Sequence, residues 1–147
     1  MVFLAAALLC GSHPVYALRA IVSPVAIRRE AGEYRASASL RFEIVPKPAT
    51  PHTSDRGFND HVRGHQIIAQ RVARSSIGST QATGKTAAEA RSQLLRAIAQ
   101  MSLDAQKELD REERVYDSVT EDGQAQDQAP QYGFPGGANA KDRCPQR

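Results

Sequence analysis

Apolar and polar residues alternate strictly along one stretch of the chain, from Tyr34 to Ile44. Every second residue there is apolar and the residues between are Arg, Ser or Glu, which is the period of a strand with one buried face. The preceding stretch, residues 18–30, is rich in β-branched residues, and its Pro24 is typical of an edge strand or a bulge. With a turn at Gly32, the two stretches predict an antiparallel hairpin, which needs a second layer to cover its apolar face.

A helix is predicted after the loop of prolines and small polar residues at 46–57. His61, His65, Ile68 and Val72 recur at the spacing of one helical face, so both histidines lie in line with the residues that would face a core. The segment that follows, residues 76–85, is compatible with either a third strand or a connector.

A second and longer helix is predicted from Thr86, which forms a capping box with Glu89, to the neighbourhood of Val119. Apolar residues recur along it every three or four positions: Ala90, Leu94, Ile98, Met101, Ala105 and Leu109. The pattern as a whole predicts an α+β fold, in which a small antiparallel sheet of two or three strands packs on a histidine-bearing helix and a long amphipathic helix.

The length of 147 residues suits one domain. Residues 1–17 resemble a secretory signal peptide, because a short apolar run precedes Val15-Tyr16-Ala17, which is typical of a cleavage site. We expect residues 18–123 to form a single domain and residues 124–147 to form a flexible tail rich in Gln, Pro and Gly. Such a protein would be secreted or periplasmic and would keep no stable membrane anchor after cleavage, since the apolar run is too short to span a bilayer.

Charge is distributed unevenly along the chain, although the formal net charge is only +3. Basic residues outnumber acidic ones between residues 19 and 96, whereas the segment from 104 to 127 contains nine carboxylates and only three basic residues. A nucleic-acid surface requires basic residues interleaved with aromatic ones, and this chain has no tryptophan and only eight Tyr and Phe residues together. We therefore expect no nucleic-acid partner, and a protein or peptide of unknown identity instead.

The stretch "HVRGH" is the strongest candidate for chemistry. Histidines four residues apart on a helix place both imidazoles on one face, at a separation that a zinc ion accepts. Gly64 between them costs roughly 1 kcal/mol relative to alanine inside a helix, which indicates that another group approaches closely there. The alternative interpretation is that His61 and His65 are interior residues hydrogen-bonded to the backbone.

Together with "EERVYDSVTEDG" near the end of the long helix, this stretch resembles the bacterial family of predicted secreted zinc-dependent proteases. That family carries His-Glu-any-Gly-His and, later, Tyr-Asp followed by Thr and then His-Gly. The matching positions in this chain are His61, Gly64 and His65 in the first motif, and Tyr116, Asp117, Thr120 and Gly123 in the second. The resemblance implies an exported zinc-binding protein with His61 and His65 as ligands.

Two departures from the family pattern bear on activity. Val62 stands where the family has the glutamate that deprotonates the metal-bound water, so we expect peptidase activity to be weak or lost. Asp122 stands where the second motif has its histidine, and a carboxylate is an acceptable third zinc ligand. If the two helices pack antiparallel across a short connector, the helical rise instead brings Asp104 or Glu108 nearer to the histidines.

Two functional hypotheses follow. The first is an exported zinc-binding domain, with His61, His65 and Asp122 as ligands, in which the ion mainly joins the two helices. The second is a metal-free periplasmic or envelope interaction protein that has the same fold and acts on an unknown partner.

Overall fold

The computed structural model describes residues 15–47, 56–120 and 130. Four strands and two helices follow one another along this part of the chain: β1 Tyr16–Val22, β2 Ala26–Glu30, β3 Glu33–Pro46, α1 Arg56–Ser75, β4 Gly78–Gly84 and α2 Ala87–Thr120. The predicted α+β class is confirmed, with one antiparallel sheet and two helices of unequal length. Neither helix is long and apolar enough to cross a membrane, as far as the described residues go.

The sheet is organised around β3, which pairs antiparallel with each of the other three strands. β1 lies along residues 40–46 of β3, while β2 and β4 lie along residues 33–37 and 34–40. The predicted first arm of the hairpin is divided into β1 and β2 around Pro24, which has no amide hydrogen to donate. Beside this break, the Ser23 amide donates to the Ser39 carbonyl at 2.9 Å and the Ser23 hydroxyl accepts from the Ser39 amide at 2.9 Å.

Residues 76–85, for which the sequence allowed either a strand or a connector, contain strand β4. The sheet therefore has four strands, because Pro24 divides one predicted strand and β4 adds another. The last two residues of the predicted cleavage site, Tyr16 and Ala17, lie in β1 and pair with Pro46 and Val45. The rest of the signal segment (residues 1–14) and the C-terminal tail, apart from residue 130, lie outside the described residues, so both stay predictions.

The helices cover the alternating apolar face of β3. Its buried side chains Ala36, Ala38 and Leu40 pack on Ala90, Leu94 and Ile98 from the first half of α2. A second cluster lies between α1 and the second half of α2 and contains Ile68, Ala69, Val72, Leu109 and Tyr116. Both stripes predicted from the sequence are therefore buried, except that Met101 is only half-buried.

The start of α2 is capped as the sequence predicts. The Glu89 amide donates to the Thr86 hydroxyl at 3.1 Å, and the Glu89 carboxylate accepts from the Lys85 amide at 2.9 Å. These bonds satisfy amide groups that a helix N-terminus leaves without partners.

The buried stripe of each helix changes from apolar to polar at the same level of the structure. On α2, fully buried Leu109 is followed by buried Glu113, Asp117 and Thr120. On α1, buried Ile68 is preceded by buried His65 and His61. The two helices run antiparallel, and an ion pair between Arg71 and Glu112 connects them beside this polar end.

Candidate metal centre

Three ligand atoms from the two helices converge at the polar end of the helix interface. His61 and His65 of α1 place their Nε2 atoms 3.2 Å apart. Asp117 Oδ1 of α2 lies 3.3 Å from the first and 2.9 Å from the second. These three residues form the one group, within the described part of the chain, that could hold a metal ion.

The group is buried although all three residues are polar. His61 is 7 % exposed, His65 2 % and Asp117 6 %. Burial of polar atoms is costly unless they are paired, and these three groups meet that requirement through contacts with one another.

Tyr116 and Gly64 hold the two helices at the distance that the group requires. The Tyr116 ring stacks on His61 with centroids 4.9 Å apart and meets His65 edge-on at 5.0 Å. Its hydroxyl donates to the His61 carbonyl at 3.4 Å. A Cβ at Gly64 would lie 2.9 Å from Cε1 of this ring, with Cζ and the hydroxyl oxygen closer still. The close approach predicted at Gly64 is therefore confirmed, and the approaching group is Tyr116.

The other nitrogen of each imidazole faces a polar side chain of α2. His65 Nδ1 lies 3.6 Å from Glu113 Oε1, and His61 Nδ1 lies 3.5 Å from the Thr120 hydroxyl. Glu113 is only 1 % exposed, and the Tyr16 phenol lies near enough that the Glu113 charge, after burial, raises the pKa of Tyr16. Each histidine is thus enclosed at both of its ring nitrogens by groups from one face of α2.

The carboxylates dominate the electrostatics of the group. Burial alone would lower the pKa of His65, but the adjacent Asp117 and Glu113 carboxylates outweigh it and raise the pKa to about 8. Burial would raise the pKa of Asp117, and contact with the two imidazoles instead holds it below the usual value. In the metal-free protein, a proton on His65 therefore takes the place of a cation.

The geometry and charge of the group fit a divalent ion. Ligands bound to tetrahedral zinc at about 2.0–2.1 Å lie about 3.3–3.4 Å from one another. The three observed separations of 3.2, 3.3 and 2.9 Å are close to that spacing. Apart from the Tyr116 phenol, the buried ionisable residues among those described are two histidines and two carboxylates, with no lysine or arginine. One divalent cation would neutralise both carboxylates and leave both imidazoles neutral.

The sequence predicted two of these three residues as ligands. His61 and His65 are brought together as expected, whereas the predicted third ligand, Asp122, lies outside the described residues. The alternatives from the helical rise, Asp104 and Glu108, required a short connector between the antiparallel helices, and the connector instead contains strand β4. Asp104 is exposed and accepts from Gln100 at 2.8 Å, and Glu108 binds Arg111, so neither joins the histidines.

Asp117 was matched to the family motif but was not predicted as a ligand. The signal was nevertheless in the sequence, because continuing the apolar stripe of α2 from Leu109 in steps of four leads to Glu113 and then Asp117. Two acidic residues in line with a buried stripe indicate a buried polar site rather than a solvated ridge.

Comparisons with protein-family models, with curated proteins and with solved structures found no match for this chain. The assignment of chemistry to the site therefore depends on the geometry of its side chains.

Proposed function

We propose that this protein is an exported zinc-binding domain in which the ion joins the start of α1 to the end of α2. The observation that supports this most directly is the buried triangle of His61 Nε2, His65 Nε2 and Asp117 Oδ1, with sides of 2.9–3.3 Å. Two imidazoles and one carboxylate are ligands that zinc accepts in a tetrahedral arrangement, and a water or a further side chain would complete the set. Asp122, which the sequence predicted as the third ligand, is proposed for that fourth position.

Peptidase activity is proposed to be weak or absent. The residue next to His61 is Val62, which can neither remove a proton from water nor return it to a leaving amine. The buried Glu113 does not replace the missing base, because it faces His65 Nδ1, the nitrogen on the far side of the ring from the other two ligand atoms. The burial of all three ligands also fits a structural role better than a site open to a peptide.

The first experiment is elemental analysis of the untagged protein beside Asp117→Asn and, as a matched control, Asp104→Asn. Both variants change one carboxylate of α2 to an amide, but Asp117 is buried at the site and Asp104 is exposed. We expect about one zinc per chain in the parent and in Asp104→Asn, and much less in Asp117→Asn. Absence of zinc from the parent, even after incubation with excess zinc, would overturn the proposal and favour the metal-free interaction protein.

Thermal unfolding with and without a chelator tests the structural role. An ion that binds only the folded state must raise the unfolding midpoint, by an amount equivalent to about 4 kcal/mol when its concentration is 1,000 times its Kd. A midpoint that the chelator leaves unchanged in the zinc-loaded protein would contradict the proposal.

Val62→Glu tests whether a peptidase scaffold underlies the site. If the missing glutamate alone limits activity, this variant should hydrolyse casein while the parent does not. A stable, zinc-loaded Val62→Glu protein without activity would indicate that the site is only structural.

A further inference from the structure

Glu113 and His65 carry buried polar atoms that make no hydrogen bond within the described part of the chain. His65 Nδ1 and both Glu113 carboxylate oxygens have no hydrogen-bond partner among the described residues. They face each other at 3.6 Å, slightly beyond hydrogen-bond range. Since burial of a carboxylate that accepts no hydrogen bond is costly, the position of Glu113 requires an explanation.

Glu112, the preceding residue, provides the contrast. Its side chain is 21 % exposed and binds Arg71 of α1 and Arg111 of α2 at the edge of the helix interface. Glu113 points instead into the interface, where it faces the imidazole of His65. A surface ion pair therefore explains the position of the Glu112 side chain but not that of Glu113.

Thr120 stands in the same relation to His61. Its hydroxyl donates to the Tyr116 carbonyl at 2.8 Å, so its lone pairs are free to accept from His61 Nδ1, 3.5 Å away. Both histidines thus have an acceptor at Nδ1: a carboxylate behind His65 and a hydroxyl oxygen behind His61.

An imidazole that donates from Nδ1 presents the lone pair of Nε2. With both rings in that tautomer, two Nε2 lone pairs and Asp117 Oδ1 point at one place, which is repulsive without a cation and favourable with one. We propose that Glu113 and Thr120 are positioning residues, which hold His65 and His61 in the metal-binding tautomer and add a second negative charge beside the ion. This inference rests on the zinc site proposed above.

The effect of Glu113 is measured as zinc affinity, by competition with a chromophoric chelator, for the parent, Glu113→Gln and Glu112→Gln. Loss of a carboxylate behind a ligating histidine weakens metal binding by about 10–100-fold. We expect that loss for Glu113→Gln and a change of less than about threefold for Glu112→Gln. The unfolding midpoint of each metal-free variant is measured beside its zinc affinity, so that weaker zinc binding is separated from a loss of folding.

Cobalt(II) absorption distinguishes a positioning residue from a ligand. If Glu113 acts through His65, Co²⁺-loaded Glu113→Gln should keep the intense visible bands of the parent's four-coordinate site while binding more weakly. A change to the weak spectrum of six-coordinate cobalt would show that Glu113 is itself a ligand, and would overturn the inference.

Thr120 is tested independently, by Thr120→Val and Thr120→Ser. Valine has nearly the same shape but no acceptor, so we expect weaker zinc binding, and serine should restore it. Equal affinities for parent and Glu113→Gln, or for Thr120→Val and Thr120→Ser, would refute the corresponding half of the inference. Because these comparisons require a parent that binds zinc, failure of the positioning roles is distinct from failure of the metal site.

Discussion

Gly64→Ala should move α1 away from α2, because the Tyr116 ring of α2 packs directly against the backbone of Gly64 in α1. The added Cβ would lie 2.9 Å from Cε1 and closer to two further atoms of the ring, whereas carbon atoms in contact are about 3.5–4.0 Å apart. Tyr116 is fully buried and cannot turn away, so the helices must part by about 1 Å.

The expected cost follows from two opposing terms. Overpacking a well-packed interface costs about 1–3 kcal/mol, and a clash with a fixed aromatic ring belongs at the upper end. Alanine gains about 1 kcal/mol over glycine in a helix interior. We therefore expect a net loss of about 2 kcal/mol in the free energy of unfolding. A parting of about 1 Å would also disrupt ligand contacts of 2.9–3.3 Å and lower zinc affinity by at least about tenfold.

Urea denaturation of the metal-free proteins measures the first effect. The unfolding midpoint of Gly64→Ala should fall by about 1 M, since small proteins have slopes of about 1–3 kcal/mol per molar urea. Gly78→Ala is the control, because its Cβ would meet only Met101 Cε at 3.5 Å, an ordinary contact. If Gly64→Ala is as stable as the parent, the ring does not depend on the glycine and the packing argument fails.

Three further predictions concern stability. The pKa of His65 in the folded, metal-free protein is about 8, above the unfolded value of 6.5, so its contribution is complete below about pH 6.5 and is lost as pH rises through 8. Chemical denaturation of the chelated protein at pH 6 and pH 9 should show a loss on the order of 2 kcal/mol, and His65→Gln should remove the dependence. Thr86→Ala removes the cap of α2 and should lower the free energy of unfolding, measured by urea denaturation, by about 1 kcal/mol. The control Ser92→Ala changes an exposed residue inside the helix and should leave the free energy of unfolding unchanged. Leu109→Ala should cost about 2–5 kcal/mol by calorimetry, because Leu109 is fully buried between the helices, and a smaller loss would contradict the packing described for that cluster.

The local patterns of the sequence predicted most of the fold. The alternation in β3, the histidine stripe of α1 and the capping box of α2 each depend on neighbours within four residues, so they can be recognised without knowing the path of the chain. Pro24 likewise marks the division between β1 and β2.

The third residue of the site, Asp117, could not be selected from local sequence patterns alone. Residues 78–84 have weak strand character, with glycines at both ends, and become a strand because they pair with β3. That pairing sets where α2 begins relative to α1, and therefore places Asp117 rather than Asp104 opposite the histidines. The choice among acidic residues was thus a question of tertiary register, which periodicity alone does not determine.

The position of the site within the core supports a structural role for the proposed ion. Apolar packing between α1 and α2 extends from Val72 to Ile68 and ends at His65, so the first part of the described interface has almost no aliphatic contact. Two carboxylates and two imidazoles buried there would oppose association of the helices unless their charges were balanced. The proposed divalent ion would supply that balance and would join α1 to α2 by direct bonds where aliphatic contact is lacking. The same buried residues would therefore make the stability of this end of the fold depend on the proposed metal.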